Sequence, residues 1–264
     1  MRVAHPLSRP AVLPLSARLN RARLWAVALF KCWRRPFSVP ALSALSRAVR
    51  SGRAHRDAVQ YMLSDPRVAE LCRQRYTGGS SPPGALLCQP PGSLGHEVAV
   101  AVLASPASEA GWREPLEPDA AQAGEDDYLA GRVRQLHEVA HVLTGFAGNE
   151  VAGALGLQAF WAAQTRRPFS IALLALGLLR TLARPAELPR TLSQIAKGWL
   201  LGFAAQPLLA QRFEDDWARP VEQWRRELGL VHERSLDLRN TVASMLRPLP
   251  ASAAAAPASS RPKR

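Results

Sequence analysis

The stretch Glu125-Asp-Asp-Tyr128-Leu-Ala-Gly-Arg132-Val-Arg134-Gln-Leu-His137-Glu138-Val-Ala-His141-Val-Leu-Thr144 decides the fold class and holds the candidate chemistry. Its first turn carries three acids, as a helix dipole favours, and Thr144-Gly145 and Gly148-Asn149 break it. The spacing predicts one continuous helix from Glu125 to about Thr144. His137 and His141 stand four residues apart, so both imidazoles share one face a single turn apart.

Outward from that helix, Pro and Gly punctuate the chain. Upstream, residues 39–63 read as helix interrupted near Gly52, and Ser64-Asp65-Pro66 caps a helix running to Tyr76. Gly78 to Gly95 reads as loop, His96–Leu103 as a short helix, and Ala104–Ala123 as irregular and partly acidic. Downstream, Asn149 is the expected cap of a helix to about Thr165. Helices near 169–183 and 191–210 follow, and a last one begins around Asp216 and holds Trp217 and Trp224. No sustained apolar/polar alternation with β-branched residues occurs, so the fold class is all-α. The expected organisation is a basic arm over 1–36, a helical domain over 37–247 and a disordered Ala/Ser/Pro tail over 248–264.

The 264 residues carry a formal charge of +13, and at 47% hydrophobic they suffice for a core. The location of that charge matters more than its size. Residues 1–56 hold twelve cations and no acid before Asp57, and Arg261, Lys263 and Arg264 close the chain. The intervening body has 19 cations against 21 acids, a net of −2. With no Cys/His finger spacing and no basic helix inside that body, nucleic-acid binding is excluded. Cys32, Cys72 and Cys88 are odd in number and widely spaced, which argues for a reduced compartment.

Residues 17–35 read as a helix whose apolar run, Leu24 to Phe30, is far short of the ~20 residues that span a bilayer. Its arginines and two tryptophans suit a helix lying at the headgroup level. An organellar transit segment, or an ordinary surface helix, are the other readings of the same composition. Phe169 to Leu179 is likewise too short to span, and reads as a buried helix.

His137-Glu138-Val-Ala-His141 is literally H-E-x-x-H, the zinc-peptidase pattern with Glu138 as general base. The metzincin extension fails, with Thr144 in place of its Gly and Ala147 in place of its third His. The gluzincin version wants an acid on a later helix, and Glu187, the nearest such candidate, lies in a loop-like Arg-Pro-Ala-Glu-Leu-Pro segment. Two histidines hydrogen-bonded in a helical core are the structural alternative.

Tyr128, Arg132, Arg134, the His137/His141 helix and Gly156-Leu-Gln-Ala-Phe-Trp-Ala-Ala-Gln164 together resemble the ubiquinone (coenzyme Q) biosynthesis family Coq-four. Pro91-Gly-Ser-Leu-Gly95, Lys197-Gly-Trp199 and Phe213-Glu-Asp-Asp-Trp217-Ala-Arg-Pro220 through Gly229 extend the resemblance over roughly 37–230. That ensemble is far more specific than the pentapeptide and makes peptidase the wrong reading. The resemblance implies a divalent metal, zinc being one candidate, on His, Asp, His and a later acid. Carried over, these are His137, Glu138 in the Asp position, and His141. The later acid falls on Gly153 or Ala154, neither of which binds metal through its side chain. Glu150, one turn earlier, is the candidate substitute, as is water.

The resemblance further implies action on the aromatic head of a prenylated quinone precursor by oxidative decarboxylation, or organisation of the other ubiquinone-biosynthesis proteins. A metal-free relative that binds prenyl lipid or partner enzymes is the rival. Arg134 is the expected partner of an anionic headgroup, beside His137, Glu138 and His141. Apolar helices at 151–164, 169–183 and 191–210 offer a lipid groove or simply the core. The expected setting is peripheral, on the cytoplasmic face of a bacterial inner membrane or the matrix side of a mitochondrial one, with homo-oligomerisation open.

Overall fold

The computed structural model describes residues 15–34, 38–50, 52–78, 81–104, 108, 109, 112 and 124–230. Among them are helices α1 (Leu15–Arg34), α2 (Val39–Arg50), α3 (Arg53–Leu63), α4 (Pro66–Gln74), α5 (Pro83–Leu87) and α6 (Leu94–Leu103). Then come α7 (Glu125–Gln135), α8 (His137–Thr144), α9 (Val151–Thr165), α10 (Pro168–Leu182), α11 (Leu188–Ala204) and α12 (Val221–Leu228). No strand occurs among the described residues, apart from a single bridge between Ser93 and Pro220. The all-α expectation holds.

The sequence capping signals act as local chemistry dictates. Asp65 accepts from the Arg67 amide at 2.8 Å with Pro66 in the first turn, and Ser93 accepts from His96 at 3.3 Å. Gly145 ends α8 at φ 71°, a conformation that a side chain would strain.

Helix α9 is apolar on all sides and sits at the centre, with ten of its fifteen residues buried. Helix α11 crosses it at very short range because both carry glycines there. A methyl at Gly198 would overlap the Gly156 carbonyl and lie 3.2 Å from Ala159 Cβ, and one at Gly202 would meet the Phe160 backbone. Helix α10 packs beside them, with Gly177 against Leu155. The main core joins α3, α4, α6–α9 and α12 through Val98, Leu136, Leu143, Phe160, Trp161, Phe213 and Trp224. A second, alanine-rich cluster holds α1 against α2 and α10 through Ala28, Cys32, Ala41, Ala44, Ala48 and Leu173. The arm therefore folds back as a helical hairpin with one face buried.

Five sequence boundaries move. The expected single helix 125–144 is divided at Leu136, whose ψ of 7° leaves helical geometry. Its halves are anchored separately: α7 through Arg132 to residues 211–214, and α8 through Arg225 to its last carbonyls. Gly78–Gly95 is not all loop, since Pro83 starts α5 and Ser93 starts α6. Glu150, not Asn149, is the N-cap of α9. Helix α11 spans 188–204, with a separate 3₁₀ turn at Leu208–Ala210 after Pro207. Helix α12 begins only after Pro220, leaving Trp217 in the preceding turn. The disordered-tail expectation for 248–264, and most of the irregular 104–123 segment, lie outside the described residues. All three thiols are free, with Cys32 and Cys72 buried and Cys88 exposed.

Candidate functional site

Helix α8 brings His137 and His141 together as the i, i+4 spacing requires. Their ring centroids are 4.8 Å apart and the planes perpendicular, at 89°. His141 Nδ1 lies 2.8 Å from the Phe146 carbonyl. A carbonyl only accepts, so Nδ1 carries a proton, and in the neutral ring the lone pair falls on Nε2. A carbonyl on one ring nitrogen is the arrangement that orients a ligating imidazole. His137 is partly exposed yet densely surrounded. Burial, with the neighbouring His141 adding to it, lowers its pKa from 6.5 to about 3, so it is neutral near pH 7.

The loop after α8 holds this pair in place. Phe146 is buried, and its ring rests where Gly156 lacks a side chain. Gly148 lies beside the His141 ring, 3.5 Å from Cε1 and Nε2 at the point where a Cβ would stand. Lys197 Nζ stands 5.4 Å from the Phe146 ring centroid, and burial lowers its pKa, with Arg225 adding repulsion. Arg225 donates to the carbonyls of Val142 and Leu143 at 2.7 and 2.9 Å, satisfying groups the end of α8 leaves open.

The other residues named from sequence disperse. Glu138 is half-buried in the first turn of α8, and Arg134 is exposed near the end of α7. Glu150 stands at the N-cap position of α9 without a side-chain capping bond and forms an ion pair with Arg190 of α11. Gly153 is buried with the Ala147 backbone against it, where a methyl would overlap the carbonyl oxygen and lie 2.9 Å from the amide nitrogen. Of the two places for a later acid, Gly153 is thus filled by main chain, while Ala154 is half-buried. Among the described residues no three His, Cys, Asp or Glu side chains gather as a metal-binding group. Among the described residues, α8 offers two adjacent imidazoles with His141 oriented by the Phe146 carbonyl.

One polar centre escaped the sequence reading. Arg132, which enters the sequence reading only through the family resemblance, is buried with Glu214, their side chains 1% and 3% exposed. Its Nη2 donates to the Gln211 carbonyl at 2.7 Å and to Glu214 at 3.0 Å, and its Nη1 to Gln135 at 2.9 Å. Arg132 and Arg212 both lie over the Tyr76 ring, with centroid distances of 5.4 and 4.7 Å. Tyr76 donates its hydroxyl to Asp215, and Tyr128 donates to the Tyr76 carbonyl. Burial raises both phenols, Tyr128 to about 12. The acid run Glu214-Asp215-Asp216 was the available signal, but its partner lies 82 residues away.

These features define an all-α protein whose candidate site is a histidine pair on a short helix at the edge of the main core. Residues 17–233 match the profile of the Coenzyme Q (ubiquinone) biosynthesis protein Coq4 family, and the chain belongs to that family. Helix α1 thus lies largely inside the matched region. A crystal structure from Nostoc punctiforme, of a protein provisionally assigned to ubiquinone biosynthesis, is similar at a TM-score of 0.66 and 24% identity. It covers 81% of this chain and 98% of that one, which supports the fold. No curated protein sequence matches the chain. Family membership implies a role in ubiquinone biosynthesis and association with other proteins of that process.

Proposed function

We propose that this chain serves ubiquinone biosynthesis by binding the prenylated quinone precursor and organising the partner enzymes at a membrane surface. The observation that supports this reading is that the Ala147 backbone packs on Gly153 while Glu150 pairs with Arg190. The membrane surface is the cytoplasmic face of a bacterial inner membrane, or the matrix face of a mitochondrial one.

A second reading keeps a divalent metal, zinc among the candidates, on His137 and His141 with water completing its shell. The Phe146 carbonyl on His141 Nδ1 favours it. In this reading Glu138, next to His137 on α8, and Arg134, near the end of α7, are the charged groups, Arg134 for the precursor carboxylate, and the reaction is oxidative decarboxylation of the ring carbon.

Two measurements separate the readings. The organising role expects less than about one tenth of an equivalent of transition metal in gently purified protein. It also expects His141→Ala to restore quinone synthesis in a deficient host. Stoichiometric metal together with an inactive His141→Ala variant would overturn it in favour of the metalloenzyme.

A further inference from the structure

Arg167, at the junction of α9 and α10, is a half-buried cation without an anion. It occupies the N-cap position of α10, the end of a helix dipole that disfavours positive charge. Its backbone amide donates to the Thr165 hydroxyl at 3.4 Å, and its guanidinium lies 5.7 Å from the Phe169 ring centroid. No ion pair among the described residues includes Arg167 or Arg134. A partly desolvated charge left this way is costly unless something else compensates it.

The elements around it bring further cations to the same place. Phe169 packs against the cluster that contains Val49, the residue before Arg50 at the end of α2. Arg50 pairs with Asp127 in the first turn of α7, and Asp127 and Arg134 stand at i and i+7, on one face of that helix. Helix α3 contacts both α7 and α10 and contributes His55. His55 is 7% exposed, its Nε2 is buried without a hydrogen-bond partner, and an Asp126 oxygen stands 3.6 Å from it. Burial, with repulsion from Arg50 and Arg134 added, lowers the pKa of Arg167 to about 10. Arg167 and Arg50 in turn act on His55, whose pKa is lowered chiefly by burial. Of the two acids here, Asp127 is taken up by Arg50 and Asp126 faces His55, so Arg134 and Arg167 have no carboxylate.

We infer that Arg50, Arg134 and Arg167 form a binding site for a phosphate dianion beside His55. Two guanidiniums that lack a carboxylate call for an anion of more than one charge, and the guanidinium fork matches phosphate oxygens in pairs. With its proton on Nε2, His55 is a further donor that has no other partner. The N-terminus of α10 favours negative charge at the same place. A monocarboxylate is the poorer occupant, because it leaves one guanidinium uncompensated. Both readings of function leave Arg50 and Arg167 unused, so this inference goes beyond them.

The test is calorimetric titration and thermal unfolding of the purified full chain in phosphate-free buffer. Inorganic phosphate and pyrophosphate are compared with acetate at equal ionic strength. Both phosphates are expected to bind and to raise the thermal midpoint, and acetate to do neither. Arg167→Gln should weaken phosphate binding about tenfold or more. Because it removes a cation crowded by others, it should also raise the midpoint of the ligand-free protein, where loss of a merely structural arginine would lower it. Arg134→Gln, at an exposed position, should weaken binding with the ligand-free midpoint at the parent value. Arg190→Gln, on α11 and paired with Glu150, should leave phosphate binding unchanged. Glycerol 3-phosphate and monomeric dihexanoyl phosphatidic acid identify the source of the phosphate. Tighter binding of the first assigns a soluble ester, and tighter binding of the second a lipid headgroup, at the same arginines. Absence of phosphate binding by the parent overturns the inference, as does parent affinity in both Arg167→Gln and Arg134→Gln.

Discussion

The carbonyl oxygen of Ala147 occupies the space that a side chain at Gly153 would need. The loop between α8 and α9 thereby seats itself on α9 and carries Phe146 to His141. Gly153→Ala is expected to destabilise the protein by about 1–3 kcal/mol through overpacking. Ala154→Ser, at the half-buried neighbour, should cost much less. Urea unfolding of both variants decides it, and equal effects would remove the steric account.

Gly198 stands in the same relation to Gly156, but across the α9–α11 crossing, where neither helix can move without disturbing the core. Gly198→Ala should therefore cost about 3 kcal/mol or more. A thermal midpoint within error of the parent would mean that the two helices are further apart than described.

Arg132 and Glu214 are almost without solvent, so removing one leaves the other charged and unpaired. Arg132→Ala or Glu214→Gln is expected to cost about 3–5 kcal/mol, and the double replacement Arg132→Met/Glu214→Leu less than the two combined. A double-mutant cycle with no coupling would show that the pair is not formed.

Glu150 and Arg190 are both substantially exposed, which limits their pair to less than about 1 kcal/mol. Glu150→Gln should leave stability and metal content nearly as they were. Loss of a bound metal in this variant would identify Glu150 as a ligand and count against its engagement with Arg190 alone.

Acid should unfold the chain earlier than its carboxylates alone require. Burial lowers the pKa of His55, against the upward pull of Asp126, and lowers that of His137 to about 3, while both titrate near 6.5 when unfolded. Between those values the unfolded chain binds protons that the folded chain refuses, so stability rises with pH across that window. The contribution is complete above pH 6.5 and is lost as pH falls toward about 3. Unfolding free energies measured along this range should flatten in His137→Asn. The same slope in parent and variant would falsify the burial assignment.

The helices, the all-α class and the shared face of His137 and His141 were legible because caps, breakers and i, i+4 spacing act within a turn or two. Asp65, Pro66 and Gly145 did what their chemistry predicts at those positions. The clustering of charge in the arm was equally a property of the chain alone. The division at Leu136 was not legible, because the Arg132 and Arg225 anchors on either side of it reach partners about eighty residues away. The same distance hid the fate of the acids: Glu150 found Arg190 forty residues on, and main chain took the space at Gly153. Packing also decided which faces of α10 and α11 turn inward, since small residues allow close approach on one side only. Composition supplied the histidines, the arginines and the aromatics. Tertiary structure determined which of them meet, because desolvation and steric fit depend on neighbours that no local pattern records.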